Sequence, residues 1–219
     1  MYSVAFTLTG EMPLLMHRDY IEGADRLAEW RGDPQNKNHS SKGDDRSPPW
    51  TWHSYLYHDG RHVTIPTDNL MSALLVGAVN VILRKQKTYK EMSQSAILIE
   101  SEHLRFEYGP DRRQLDLAAI NDLQDLPFSE QAAACRRLGF SLFCKRVRIG
   151  QAKHIRVRPK FDQWHASGRL SVHHADLPFD RLQLIFHHAG RAGLCDWRPS
   201  SPKRPGPYGM FSAQLTLEK

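Results

Sequence analysis

The chain has 219 residues, with 30 lysines and arginines against 24 acids and a formal net charge of +6. That length allows one large domain or two small ones and buries a core without disulfide staples. The basic balance favours nucleic acid or an acidic surface as partner; three widely spaced cysteines make neither a disulfide framework nor a zinc pair. No stretch approaches the ~20 apolar residues of a membrane helix. The opening MYSVAFTLTGEMP lacks the basic flank and apolar run of a signal peptide. The expectation is a cytoplasmic protein with reduced thiols and no membrane partner.

Ser3 to Thr9 alternates apolar and polar residues and predicts a first strand. Ala24 to Arg31 reads as a short helix with Leu27 and Trp30 on one side. Residues 32–49, GDPQNKNHSSKGDDRSPP, offer nothing apolar to bury and predict a flexible surface loop. Trp50 to Tyr57 is aromatic and alternating, His58-Asp59-Gly60 signals a hairpin turn, and Arg61 to Ile65 returns as its second arm. Leu70, Ala73, Leu74, Gly77, Ala78, Val81 and Ile82 then recur at helical spacing, with Thr67, Asp68 or Asn69 available as cap. After Lys85 to Lys90 and a shorter helical piece, Ala96 to Glu100 and Leu104 to Tyr108 read as strands. Ser129 to Leu138 reads as a helix, Arg169 to His174 as a strand, Leu177 to Ala189 as an amphipathic helix, and Met210 to Leu217 as the last strand.

This order of elements predicts an α+β fold with a ferredoxin-like, RRM-like βαββαβ core. One domain spans residues 1–219, interrupted by a flexible loop at about 11–50 and a thumb-like insertion at about 109–139. Both helices are expected on one face of an antiparallel sheet, leaving the other face free. RNA-recognition domains use such a free face.

Two segments carry the functional signal. Phe140 to Phe161 holds Lys145, Arg146, Arg148, Lys153, Arg156, Arg158 and Lys160 with no acid among them. Val147, Ile149, Ile155 and Val157 alternate with these cations, which predicts one face on a core and a row of charge on the other. Gly150 divides the run into two strands or a bent one. The second segment, Gly190 to Gly209, offers Arg198, Lys203 and Arg204 as charge and Trp197 and Tyr208 as flat faces for bases. Its Gly193, Gly206 and Gly209 are expected to let backbone approach a ligand, and its prolines to limit the entropy lost on binding.

A helix, a glycine-rich basic loop and a YGMF-type last strand resemble the RAMP superfamily of CRISPR-associated RNA-binding proteins. VTIPTDNLMSALL is similar to the IPxSSLKGALR helix start of effector backbone subunits through Ile65, Pro66, Asn69, Leu70, Ala73 and Leu74. Met71 and Ser72 stand where that pattern has a basic residue and glycine. Small phage-encoded proteins with LLMH, IPxxNL, RVGQAR and GDWRP-like segments look similar at Leu14 to His17, Ile65 to Leu70, Arg148 to Lys153 and Cys195 to Pro199. The resemblance implies non-catalytic binding of single-stranded RNA, or DNA, by copies lined up along one strand or beside other effector subunits. A phage protein that mimics an effector subunit is an alternative.

Repeat-cleaving RAMP endonucleases need a general acid or base, so His17 and His154 are the catalytic candidates for a metal-independent endoribonuclease. Some backbone subunits cleave with an acid in the region of Asp19, Glu22 and Asp25. Solvated loop charge is the expected state of those acids. The adjacent pairs His173-His174 and His187-His188 pre-form no metal site, because neighbours on a strand or helix diverge. No metal or cofactor is expected.

Overall fold

A computed structural model describes residues 1–19, 21–38 and 43–218, the side chains of Glu22 and Ile149 apart. The first half contains β1 (Tyr2–Gly10), β2 (Leu14–Leu15), α1 (Ile21–Gly32), β3 (Thr64–Pro66), α2 (Thr67–Ala78), β4 (Ile82–Arg84), β5 (Lys87–Thr88), α3 (Lys90–Ala96), β6 (Ile97–Ile99) and β7 (His103–Tyr108). The second half adds α4 (Ala118–Asn121), α5 (Phe128–Leu138), β8 (Ser141–Ile149), β9 (Ala152–Phe161), β10 (Trp164–Val172), α6 (Phe179–Ala192) and β11 (Phe211–Glu218). The fold is α+β, as the order of elements predicts. No helix among the described residues is long and apolar enough to cross a membrane.

The main sheet runs β11-β1-β10-β7-β3, with β6 also pairing β10, and each of these pairings is antiparallel. Alternation divides its faces. Val4 and Leu8 lie opposite Leu170 and Ala166 on β10, and all four are buried. Leu104, Phe106 and Tyr108 extend this apolar face onto β7. The buried stripes of α2 (Leu70, Ala73, Leu74) and α6 (Leu182, Ile185, Phe186) belong to the same core, and the Phe6 and Phe186 rings lie 5.7 Å apart. The opposite face is polar, carrying Thr7 and Thr9 of β1, Ser167 and Arg169 of β10, Arg105 and Glu107 of β7, and Gln214 of β11. Among the described residues its rings are the imidazoles of His165 on β10 and His103 on β7, and it carries no Phe, Tyr or Trp. The row of large rings that RNA-recognition sheets offer to bases is missing from these residues.

β8 and β9 form a hairpin, paired through β9 to β2. Its base is rooted in the core, where Phe140 and Phe161 stack at 5.2 Å and Phe106 and Tyr108 meet Phe161 edge-on. Its tip is exposed, and Gly150 turns it at φ 58°.

Four expectations change. Trp50 to Tyr57 is no strand: Thr51–Tyr55 is a 3-10 turn that sinks Trp52 into the core. The buried Trp52 indole needs an acceptor, and Gln131 Oε1 of α5 supplies it at 2.6 Å. Two parts of the polar run 32–49 are held by hydrogen bonds. Pro34–Asn36 is a 3-10 turn, and Ile155 N–H of β9 donates to Gly43 O at 2.8 Å while Asp45 N–H donates to Ile155 O at 3.0 Å. Residues 39–42 of that run lie outside the described residues. Residues 109–139 do not project as a thumb, because Leu115, Ile120 and Cys135 are part of the buried cluster. At the start of α2 no side chain caps; Pro66 occupies the cap position.

α2 and α6 meet without a side chain between them at Gly77. A Cβ there would lie 2.5 Å from Ile185 O and 2.7 Å from Ala189 N, both backbone atoms. Gly77→Ala is therefore expected to destabilise by about 1–3 kcal/mol despite its better helix propensity. The check is the urea midpoint; an unchanged or raised midpoint would contradict this packing.

Candidate nucleic-acid interface

The pairing register decides where the hairpin's charges point. Residues directly opposite on antiparallel strands share a face. Lys145 lies opposite Arg156, Val147 opposite His154 and Phe143 opposite Arg158, on one face. Arg146 lies opposite Ile155 and Arg148 opposite Lys153, on the other. Odd-numbered residues of β8 thus share a face with even-numbered residues of β9. The expected single row of cations is split for this reason. The predicted alternation holds in β9, where Val157, Pro159 and Phe161 are buried, but Val147 sits on the same face as Lys145.

The hairpin's cations also meet acids that come from elsewhere in the chain. Asp45 is 5 % exposed. Its carboxylate accepts Arg156 Nη1 at 2.8 Å, Arg158 Nη1 at 3.2 Å and the Val157 N–H at 3.2 Å. Arg158 Nε donates to Asp196 at 2.8 Å and its guanidinium lies 4.5 Å from the Tyr55 ring centre. Lys160 pairs with Asp162 at 2.8 Å. Arg146 and Lys153 are exposed on the far face, and Arg148 folds back onto Gly150 O and Gln151 Oε1.

The loop after α6 stands against the first face. Asp196 N–H donates to Leu15 O at 3.0 Å, which ties the loop to β2. Cys195 and Trp197 on either side of it adopt φ of 59° and 56°, a region that side chains other than glycine rarely enter. Arg198 closes the loop from inside, donating to Cys195 O at 2.7 Å and Ser200 Oγ at 3.0 Å, so it does not reach outward. The glycines serve the loop's own packing. A Cβ at Gly206 would lie 2.4 Å from Trp197 O, at Gly209 2.1 Å from Leu194 O, and at Gly193 2.9 Å from Tyr208 O. Their expected role in letting a ligand approach the backbone is corrected accordingly.

Between hairpin and loop runs a groove of about 390 Å³. Lys145, Arg156, Arg158, Lys203 and Arg204 line it, with Phe143 and Trp197 as aromatic walls. Lys145 Nζ sits 3.6 Å from the Trp197 ring centre. Tyr208 stands behind, 6.0 Å from Trp197 and near parallel to it. Asp196 is the one carboxylate among the described lining residues, with Asp45 next to Arg156 and Arg158. The two separate segments marked in the sequence thus converge, with Lys145, Arg156, Arg158, Trp197, Lys203 and Arg204 in one groove. Arg146, Arg148, Lys153 and Lys160 do not line it.

His17 sits beside this wall. Its Nδ1 is 3.8 Å from Asp196 Oδ2 and Tyr55 meets its ring edge-on at 4.9 Å. Burial, then the Arg158 charge, holds its pKa below the ordinary histidine value, with Asp196 opposing. The imidazole is neutral near pH 7, the state a general base requires. His154 is packed on Gly43 with a buried Nδ1 that has no hydrogen-bond partner among the described residues, and belongs to the hairpin's contact with that segment. Asp19 and Asp25 are exposed, and the Glu22 side chain lies outside the described residues. No group of three His, Cys, Asp or Glu side chains among the described residues is placed to hold a metal.

The residue that sequence reasoning missed is Asp45. Asp45→Asn keeps the shape but leaves Arg156 without its charge partner and Arg158 with Asp196 alone. It is expected to destabilise by about 3 kcal/mol, as loss of one partner of a buried pair does. The measure is chemical denaturation; a shift of about 0.5 kcal/mol or less would place the pair among ordinary surface bridges. No family model and no curated protein matches the chain.

Proposed function

We propose that the chain binds single-stranded nucleic acid in the groove between the β8–β9 hairpin and the loop after α6, without cleaving it. The convergence of five cations and Trp197 on one groove carries this reading. Guanidinium and ammonium groups would take the phosphates and Trp197 a base face, which positions a strand without reading its sequence. The short RAMP-like segments favour RNA over DNA. The core supports the same reading: β1, α2, β7, β10, α6 and β11 follow the βαββαβ order, and the path β11-β1-β10-β7 places them last, first, third and second. We read that core as ferredoxin-like and the chain as an effector backbone-like subunit in the cytoplasm, with copies side by side along one strand.

The test is an anisotropy titration with labelled single-stranded RNA, single-stranded DNA and duplex at several salt concentrations. Five phosphate contacts predict a log–log salt slope of about −3.5. Trp197→Ala should cost about 1–3 kcal/mol of binding. Arg146→Ala and Lys153→Ala, on the far face, should cost less than about 0.5 kcal/mol each. No binding at low salt, or equal losses from both faces, would remove the proposal.

A second reading rests on His17 beside Asp196, Tyr55 and Arg158. In it the neutral imidazole takes the proton of a ribose 2′-hydroxyl, the 2′-oxygen bonds to the adjacent phosphorus, the P–O5′ bond breaks with water protonating the leaving 5′-oxygen, and Arg158 stabilises the charge on the phosphate, as a metal-independent endoribonuclease requires. It predicts EDTA-resistant cleavage of repeat RNA that His17→Ala abolishes by about 100-fold or more. Intact RNA after prolonged incubation with the unmodified protein would dismiss it.

A further inference from the structure

β11 is a long sheet edge without the usual guards. It borders β1 on one side, in an unbroken antiparallel register from Ser3 opposite Glu218 to Gly10 opposite Phe211. Among the described residues no strand pairs its other side. Such an edge presents a row of backbone N–H and C=O groups that another strand can take up, and natural edges are blunted by short length, proline, bulges or lysine. The other edges of this fold show that blunting. β2 has two residues, β6 has three, and β3 has three and ends in Pro66. β8 is long but carries Lys145, Arg146 and Arg148. β11 runs eight residues, FSAQLTLE, without Pro, Lys, Arg or a bulge. Its one charge, Glu218, is paired with Arg169 at 2.7 Å. The strand is anchored at its start, where a Cβ on Gly190 of α6 would lie 2.0 Å from Phe211 O. Beyond that point Ser212, Gln214, Thr216 and Leu217 are exposed, Leu217 to 49 %.

The side chains of that edge suit a copy of the same strand. Residues directly opposite on antiparallel strands share a face. A two-fold axis normal to the sheet therefore pairs odd-numbered residues with odd and even with even. The odd set is apolar: Ala213, Leu215 and Leu217 lie opposite Leu8, Phe6 and Val4 on the core side of the sheet. The even set, Ser212, Gln214, Thr216 and Glu218, lies on the open polar side. With Leu215 on the axis, all of residues 212–218 find a partner. Leu215 meets Leu215 and Ala213 meets Leu217, while Gln214 meets Thr216 and Ser212 meets Glu218. No like charges face each other, and the half-exposed Leu217 gains an apolar neighbour. We infer that β11 of one chain pairs antiparallel with β11 of a second copy, joining the two main sheets into one. The interface is isologous and closes on itself, so it stops at two copies. It uses no residue that lines the groove and stands apart from nucleic-acid binding there.

The experiment is sedimentation of the full chain, freed of nucleic acid, from about 5 to about 200 µM, the micromolar range in which modest interfaces assemble. Amide exchange is followed at both ends of that range. A mass rising towards two copies is expected. At low concentration every second amide of residues 212–218 faces water and should exchange fast; at high concentration both sets should be slow. Thr216 is exposed on the open side, so Thr216→Lys should fold, keep its thermal midpoint at the lowest concentration, and weaken the dimer about ten-fold or more. Leu217→Lys serves as a second variant, and Lys145→Ala in the groove should leave the dimer unchanged. One mass at every concentration overturns the inference and leaves the edge to an extended segment of another protein. A dimer that survives both edge variants, or one in which every second β11 amide stays fast, overturns it as well, because the copies then meet on another surface. Loss of RNA binding by the groove variant with the dimer intact would concern the groove alone.

Discussion

A single buried carboxylate sets the direction of the hairpin's charge. Arg156 and Arg158 stand two residues apart on one face of β9, with Lys145 directly across from Arg156. Like charges in that arrangement repel. Asp45 lies next to them, 5 % exposed, and accepts hydrogen bonds from both guanidinium groups and from the backbone between them. Each donor offsets part of the cost of burying its charge. The same contacts carry residues 43–45 onto the edge of β9, so one side chain fixes both the hairpin and the segment that covers it.

The consequence for function is a matter of balance. Asp45 and Asp196 restrain the two arginines without cancelling the wall, because five cations line the groove against these two carboxylates. A positive surface with its side chains already held loses less entropy on binding than a set of free lysines. The main sheet offers no such surface on its open side. Its Thr, Ser and Gln side chains are uncharged, its rings among the described residues are the imidazoles of His103 and His165, and its Arg105 and Arg169 are paired with Glu107 and Glu218. An added hairpin packed against a loop, rather than the sheet itself, is where this fold gathers charge and flat rings together.

Periodicity makes the elements of the core legible in the sequence. β1, α6 and β11 stand where alternation or helical spacing puts them, and α2 does so as far as Ala78, while Val81 lies past its end and Ile82 is exposed on β4. The aromatic run at Trp50 to Tyr57 misleads, since alternation in a short run does not distinguish a strand from a turn that buries Trp52 and Leu56. Pairing register is the other blind spot. Nothing within β8 alone says that Val147 will share a face with Lys145; the partner strand decides it. Asp45 is hidden for a similar reason. It sits in a run of polar residues that reads as solvated, although two arginines at alternate positions of one strand face signal the need for an acid. The loop's glycines show how one residue type serves two ends. Their spacing is plain in the sequence, but only the backbone contacts reveal that Gly206 and Gly209 make room for the loop itself.

Photo-crosslinking with a single-stranded oligonucleotide carrying reactive bases, followed by peptide mapping, tests the central claim most directly. Adducts on Phe143, Lys145, Trp197 and the residues around Lys203 are the result this account predicts. Adducts confined to the open face of the main sheet, around Thr7, Ser167 and Gln214, or to Arg146 and Lys153 on the hairpin's far side, would contradict it.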